Sequence, residues 1–198
     1  MGYIGRPARS QKGGRVLIAS QTASDAATLD FIDGTGGVVM DDTYPIYEVH
    51  LINMHPATDS VNPLFQVNAS GGSGFNETIT SAAARQYIAE NNTGENFNYD
   101  TFDDQAQGTA YQQILGTSIG NANDESASGI LTLFQPTSTS YVKHFMSQGV
   151  GLHEDAWVMA SWVGGYINTQ SVIDEISFKF SSGNIDSGTI HMYGVKNG

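Results

Sequence analysis

Apolar and polar residues alternate with a period of two along most of this chain, a pattern that is typical of half-buried β-strands. The clearest example is the stretch 44–54, where Tyr47, Val49 and Leu51 share one face of the predicted strand. The intervening side chains fall on the other face, as in a sheet with one buried side. The pattern predicts nine or ten strands among eleven candidate stretches, of which 38–40 is very short and 81–90 is ambiguous: 27–32, 38–40, 44–54, 64–69, 81–90, 109–115, 129–135, 140–151, 156–168, 172–181 and 188–195.

The stretch 81–90 and the polar stretch after it are less regular. The Ala-rich sequence SAAARQYIAE suits a short helix, but in a sheet it predicts a strand with Arg85, Tyr87 and Ala89 on one face, and we favour the strand. Residues 91–108 are rich in Asn and Asp and predict a long loop, which in a compact domain is usually functional or an interaction surface. The last two candidate strands are predicted to form a hairpin-like pair.

Strand pattern and composition together predict an all-β fold, an antiparallel β-sandwich or jelly roll with a short extended N-terminal arm. Abundant Gly (23 residues), together with Ser, Thr, Asn and Asp, suits many turns between short strands. A chain of 198 residues fits one large domain, and its charged fraction of 14% argues against disorder. Because Cys is absent, stability must come from packing, from oligomerisation or from both.

Charge is distributed unevenly along the chain and separates an arm, residues 1–24, from a body, residues 25–198. The formal net charge is −12, yet residues 1–24 contain no acidic residue and carry +4, which leaves −16 to the body. A solvated tail is one interpretation of the arm. We favour a docking arm, which would bind an acidic neighbouring surface, or the acidic body of the next copy of the chain, through a set of basic and apolar residues. These residues are Tyr3, Ile4, Arg6, Arg9, Lys12 and Arg15.

The acidic body excludes several classes of partner. A surface of −16 repels phosphate, so neither nucleic acid nor an acidic membrane surface is an expected partner. No stretch reaches the roughly 20 apolar residues of a membrane-spanning helix, and the N-terminus lacks the apolar run of a secretory signal. We therefore expect a soluble protein made in a cytoplasm.

Motifs for catalysis or metal binding are weak, and we expect no enzyme, no cofactor and no metal. His153, Glu154 and Asp155 form the densest polar triplet, but a turn explains them better than a metal site. Acidic pairs in loops could attract calcium, but solvated loop charge is the better explanation. A jelly-roll glycosidase would need two facing carboxylates, whereas Asp174 and Glu175 are adjacent and point to opposite faces of a strand.

Trp157 and Trp162 lie an odd number of residues apart on one predicted strand, so they should point to opposite faces of the sheet. At most one of them then belongs to the core. The other is a candidate contact for a partner chain or a sugar ring, and a partner chain is the more common explanation. A bulge at Gly164 and Gly165, or burial of both faces in an oligomer, would also account for the pair.

Four stretches of the chain carry a resemblance to a protein family: MGYIGRPA (1–8), YEVHLINMHPATDSVNPLFQVNASGGSGFNETIT (47–80), DDQAQGTAYQ (103–112) and YINTQSVIDEISFKFSSGNIDSGTIHMYGVK (166–196). They resemble small structural proteins of tailed bacteriophages of aquatic bacteria, of the cyanophage-like decoration or fibre type. The resemblance covers most of the body and brings no catalytic residues with it. It implies a component of the virion, assembled in the cytoplasm of an infected bacterium.

Two functions follow as expectations. The first is a virion structural protein, either a capsid decoration (cement) or a surface spike protein, that docks through its arm on other virion proteins. The alternative is a tail-fibre or receptor-binding module that recognises a host surface glycan. Either would be a homo-oligomer, and a trimer is common among fibre and spike proteins.

Overall fold

Twelve antiparallel β-strands follow one another along residues 14–196, the part of the chain that the computed structural model describes, and no helix occurs among these residues. None of them therefore forms a helix long and apolar enough to cross a membrane. The strands are β1 (Arg15–Thr22), β2 (Leu29–Ile32), β3 (Ile46–Pro56), β4 (Pro63–Ala69), β5 (Ile79–Ala89), β6 (Asn96–Tyr99), β7 (Gln112–Gln113), β8 (Ala127–Phe134), β9 (Lys143–His153), β10 (Trp157–Ile167), β11 (Ile173–Phe180) and β12 (Ile185–Val195).

The strands form two sheets with one core between them. The larger sheet has the order β1-β12-β3-β8-β9-β10-β5-β6, and the smaller has the order β2-β11-β4-β7. Alternation decides which side chains face inward: Tyr47, Val49 and Leu51 of β3 are buried, as predicted. The sheets meet where Phe65 of β4 packs edge-to-face on Phe145 of β9, with ring centroids 5.1 Å apart. The predicted antiparallel β-sandwich is confirmed, and the finer jelly-roll assignment stays a prediction.

Several predicted elements differ from the observed ones, because the alternation of apolar and polar residues does not indicate which distant segments pair. β11 and β12 do not form a hairpin, since β11 pairs with β2 and β4 whereas β12 pairs with β1 and β3. The stretch 81–90 is strand, as favoured, in β5. The predicted loop 91–108 contains the short strand β6, and residues 109–115 contribute only the two residues of β7. Residues 38–40 form no strand.

The predicted arm needs a correction at its boundary. Residues 15–22 are not an extended arm but strand β1, which pairs with β12 at the edge of the larger sheet. Strand formation there follows from the β-branched and apolar residues of RVLIASQT, which lie beside the edge of β12. Residues 1–13 lie outside the described part of the chain.

A patch of glycines on the inner side of the larger sheet lets a loop approach it closely. A Cβ at Gly149 would lie 2.5 Å from Leu115 Cδ2 and 2.8 Å from Leu115 Cα, and one at Gly151 would meet Ile119 Cδ1. A Cβ at Gly129 would also meet Leu115 Cδ2. The loop segment 114–119, which we call the wall segment, therefore packs against β8 and β9 beside the small sheet and leaves a cleft along β10 and β5.

Candidate functional site

The cleft next to the wall segment brings aromatic, basic and hydroxyl side chains together, and we call it the Arg85 cleft. It has a volume of about 280 Å³, at the small end of the range for ligand pockets. Strands β5, β9 and β10 form its floor, and the loops around residues 102 and 117 form its sides. Its lining consists of Arg85, Tyr87, Phe102, Thr117, Ser118, His153, Trp157 and Met159.

Three aromatic side chains form a stacked row across the floor of the cleft. The pairing of β10 with β9 and with β5 brings His153, Trp157 and Tyr87 side by side on the inner side of the sheet. The Trp157 ring is 5.3 Å from Tyr87 at an interplanar angle of 10°, and 5.1 Å from His153 at 21°. Because these rings stack on one another, the row is rigid.

Arg85 and Asp100 form an ion pair at the cleft. Arg85 Nε lies 2.5 Å from Asp100 Oδ2, although its N–H is not aligned for a hydrogen bond. Asp100 is 1% exposed, and its Oδ1 accepts the backbone N–H of Phe102 at 2.9 Å. Asp100 thereby fixes the Phe102 loop, while the Phe102 side chain itself is 87% exposed. An exposed ring on a fixed loop is available to a ligand without an ordering cost.

A second carboxyl group, Asp103, is buried next to Asp100. Burial first, and then the Asp100 carboxylate, raise the pKa of Asp103 to about 7. As carboxylates, Asp100 Oδ2 and Asp103 Oδ1 would both be buried without an aligned donor from residues 14–196. A proton on Asp103 lets it donate a hydrogen bond to Asp100, which satisfies both oxygens.

The predicted polar triplet lies in the turn after β9, beside the cleft. His153 Nδ1 accepts the backbone N–H of Asp155 at 3.0 Å, and Glu154 accepts the Ser60 hydroxyl at 2.6 Å. The ligand atoms of the three side chains lie within 4.8 Å of one another, while His153 Nδ1 serves the turn and Glu154 ties the turn to Ser60. The turn interpretation therefore accounts for this cluster, and His153 Nε2 remains free to face the cleft.

The outer face of the larger sheet is the second candidate surface. By outer face we mean the side of β8, β9, β10, β5 and β6 that points away from the small sheet. These five neighbouring strands contain only two Lys, Arg, Asp or Glu residues, Lys143 and Arg85, and both belong to the inner side. The outer face therefore presents no charged strand side chain, although the chain carries −12.

Large apolar side chains occupy this face, and two loop carboxyl groups lie at its β5–β6 side: Glu95 beside Ile88 and Val158, and Asp104, which accepts the Tyr99 hydroxyl. Trp162 is 42% exposed, and its ring meets Phe97 edge-on at 6.4 Å. Register places Trp162 between Gln148 and Ala84 on the neighbouring strands. The exposed apolar side chains of this face are Ile88, Phe97, Tyr99, Met146, Val150, Val158 and Trp162. Contiguous apolar surface of this kind marks an interaction site in most proteins.

The predicted contact residues fall in different places. Trp157 and Trp162 do point to opposite faces, as predicted, because β10 pairs without a bulge at Gly164 and Gly165. Arg15 lies in β1 and forms an ion pair with Glu48 of its own sheet, so it is not part of a free arm. The remaining predicted arm residues lie outside the described part of the chain; they are Tyr3, Ile4, Arg6, Arg9 and Lys12.

Sequence reasoning missed Arg85, Tyr87 and Phe102 as site residues. The predicted strand did place Arg85 and Tyr87 on one face, and Phe102 lies in the stretch predicted as a functional loop. The missing information was the pairing of β5 with β10, which brings Tyr87 to Trp157. Comparisons of the chain with protein-family models, with curated proteins and with solved structures found no match.

Proposed function

We propose that this protein is a structural, non-enzymatic component of a tailed-bacteriophage particle, a capsid decoration or surface spike protein that assembles as a homo-oligomer. The observation that carries the proposal is the apolar outer face, whose strands carry no charged side chain, on an otherwise acidic chain. The resemblance of the sequence to small virion proteins supplies the particle context. A tail-fibre location is the alternative within the same class.

The occupant of the outer face is a second copy of this chain. Two copies that each carry −12 repel one another wherever acidic surfaces meet, so they associate most easily through a face whose strands carry no charged side chain. Five strands spaced by about 4.8 Å, most of them near 35 Å long, offer roughly 800 Å². This matches the approximately 800 Å² per partner of a standard stable interface.

Two grooves lie next to the point at which the arm enters the fold. The Gly14 carbonyl accepts the Lys196 N–H at 3.4 Å, and Lys196 Nζ lies 5.9 Å above the Tyr44 ring. Lys196 and Tyr44 line a groove of about 740 Å³ that also contains Asp42, and an adjoining groove of about 650 Å³ shares Pro45 with it. Our proposal places the arm of one copy in the equivalent grooves of its neighbour.

The experiment compares two matched substitutions in particles and in solution. Val150→Glu adds a charge to the outer face, whereas Val39→Glu adds the same charge to an equally exposed Val in a loop away from it. We expect the wild-type chain and the Val39→Glu variant to co-purify with phage particles and to have an oligomeric mass in solution. Val150→Glu should be monomeric and absent from particles, while circular dichroism shows its sheet content retained.

Three outcomes would overturn the proposal. If the wild-type chain is monomeric at the high concentration expected on a particle, the outer face is not an interface between copies. The same conclusion follows if Val150→Glu has the same oligomeric mass as the wild-type chain. Absence of the wild-type chain from purified particles would remove the virion role. Labelled density at the tail rather than the capsid would select the tail-fibre alternative.

A further inference from the structure

The Arg85 cleft combines an exposed ring with hydrogen-bonding groups that the fold leaves unused. Phe102 presents its ring at the rim, and the edges of Tyr87 and Trp157 form the floor. Within residues 14–196, no hydrogen bond from the terminal nitrogens of Arg85 is found, and the Ser118 hydroxyl and His153 Nε2 also have no hydrogen-bond partner. These groups converge on one concave space.

We infer that the Arg85 cleft binds a neutral pyranose unit of a glycan. A pyranose has an apolar face of C–H groups that packs on an aromatic ring, and hydroxyl groups that both donate and accept hydrogen bonds. Arg85 supplies donors, Ser118 both donates and accepts, and His153 donates or accepts according to its tautomer. A small, largely preformed pocket with an apolar surface and a few convergent polar groups is the usual form of such a site.

The charges around the cleft select a neutral sugar over an acidic one. The guanidinium of Arg85 is already matched by Asp100, and Asp103 lies buried beside that pair. Glu154 and Asp155 follow His153 at the end of the cleft. With a chain charge of −12, an anionic ligand would meet net repulsion on approach and no unmatched cation in the site.

Both sides of the cleft are held in place before a ligand arrives. Asn62 Oδ1 accepts the Ser118 N–H at 2.8 Å and the Thr117 hydroxyl at 3.0 Å. The Glu154 N–H donates to the Ser118 carbonyl at 3.0 Å, which ties the wall segment to the turn after β9. On the other side, Asp100 holds the loop of Phe102. Such preorganisation lowers the ordering cost of binding.

The test uses the full chain, an array of neutral and acidic glycans, and titration with methyl pyranosides followed by Trp fluorescence. Phe102→Ala is the informative variant, because this exposed side chain can be removed without opening the core. Tyr141→Ala removes another exposed ring and is its control. We expect neutral glycans to bind wild type and Tyr141→Ala alike, and Phe102→Ala to lose at least five-fold in affinity.

A second measurement locates the ligand. Trp157 lies in the cleft and Trp162 on the outer face, so the fluorescence change should vanish in Trp157→Phe and persist in Trp162→Phe. Preferential binding of acidic glycans would overturn the neutral class. Unchanged affinity in Phe102→Ala, or no binding of any glycan by the wild-type chain, would overturn the site. The inference is independent of the assembly proposal, since Phe102→Ala leaves the outer face and the oligomeric mass unchanged.

Discussion

Asp103 is the residue whose chemistry the fold changes most. Its carboxyl group is 3% exposed, and burial next to Asp100 raises its pKa from 3.8 to about 7. Between about pH 4 and pH 7 the folded chain therefore holds a proton on Asp103 that the unfolded chain has released. The free energy of unfolding must then fall as pH rises across this window, by at most about 1.4 kcal/mol per pH unit from this group.

Replacing this carboxyl group should remove that pH dependence. Asp103→Asn keeps a donor toward Asp100 but cannot ionise, so we expect it to be more stable than wild type above about pH 7, with the difference shrinking toward about pH 4. Urea unfolding at several pH values across this range measures the difference in the free energy of unfolding between the variant and the wild-type chain. Asp124→Asn, which removes an exposed charge, is the control and should keep the wild-type slope. An unaltered slope in Asp103→Asn would contradict the raised pKa.

At the scale of elements, the glycine patch under the wall segment is the feature most sensitive to change. Gly149→Ala would place a Cβ 2.8 Å from Leu115 Cα, so the wall segment must move away from β9. We expect a loss of about 1–3 kcal/mol in the free energy of unfolding, as for other overpacked cores. Gly164→Ala, on the outer face of β10, meets open space and should change stability by less than about 0.5 kcal/mol. Equal stabilities for the two variants in chemical denaturation would contradict this account of the patch.

Elements also show how far the sequence could predict this molecule. Alternation was sufficient to locate the long strands other than β1 and to place Trp157 and Trp162 on opposite faces, because side-chain direction in a strand depends only on local geometry. It could not assign β11 and β12 to different sheets, because strand pairing depends on contacts between distant segments. The cleft could not be predicted for the same reason, because Tyr87 and Trp157 stack only where β5 pairs with β10.

Positive backbone dihedrals mark another part of the fold that local pattern did not reveal. Leu115 has a φ of 63° and Ser118 a φ of 47°, conformations that non-glycine residues seldom adopt. Leu115 is fully buried against the glycine patch, so packing holds it there. Alternation predicted a strand that runs through Leu115, whereas packing on Gly149 and Gly129 turns the chain there into the side of a cleft.

At the scale of the whole molecule, the acidic charge and the basic arm should make the proposed self-association respond to salt in opposite directions. Salt should reduce the repulsion between two acidic chains and should also reduce the attraction of the arm. The proposed association through the outer face would bring together two chains of −12, and salt would screen their repulsion within a Debye length of about 8 Å at physiological ionic strength. The arm contributes Arg6, Arg9 and Lys12, which attract acidic surfaces, and salt weakens that attraction.

Removal of residues 1–13 separates the two contributions, and the deletion should stop there because β1 begins at Arg15. Without the arm, we expect self-association measured by sedimentation equilibrium to tighten several-fold between low and high salt, since screening only reduces repulsion. Self-association of the full chain should tighten less with salt, because salt also weakens the attraction that the arm contributes. If association of the shortened chain weakens with salt instead, attraction between charged surfaces holds the copies together, and the outer face is not their interface.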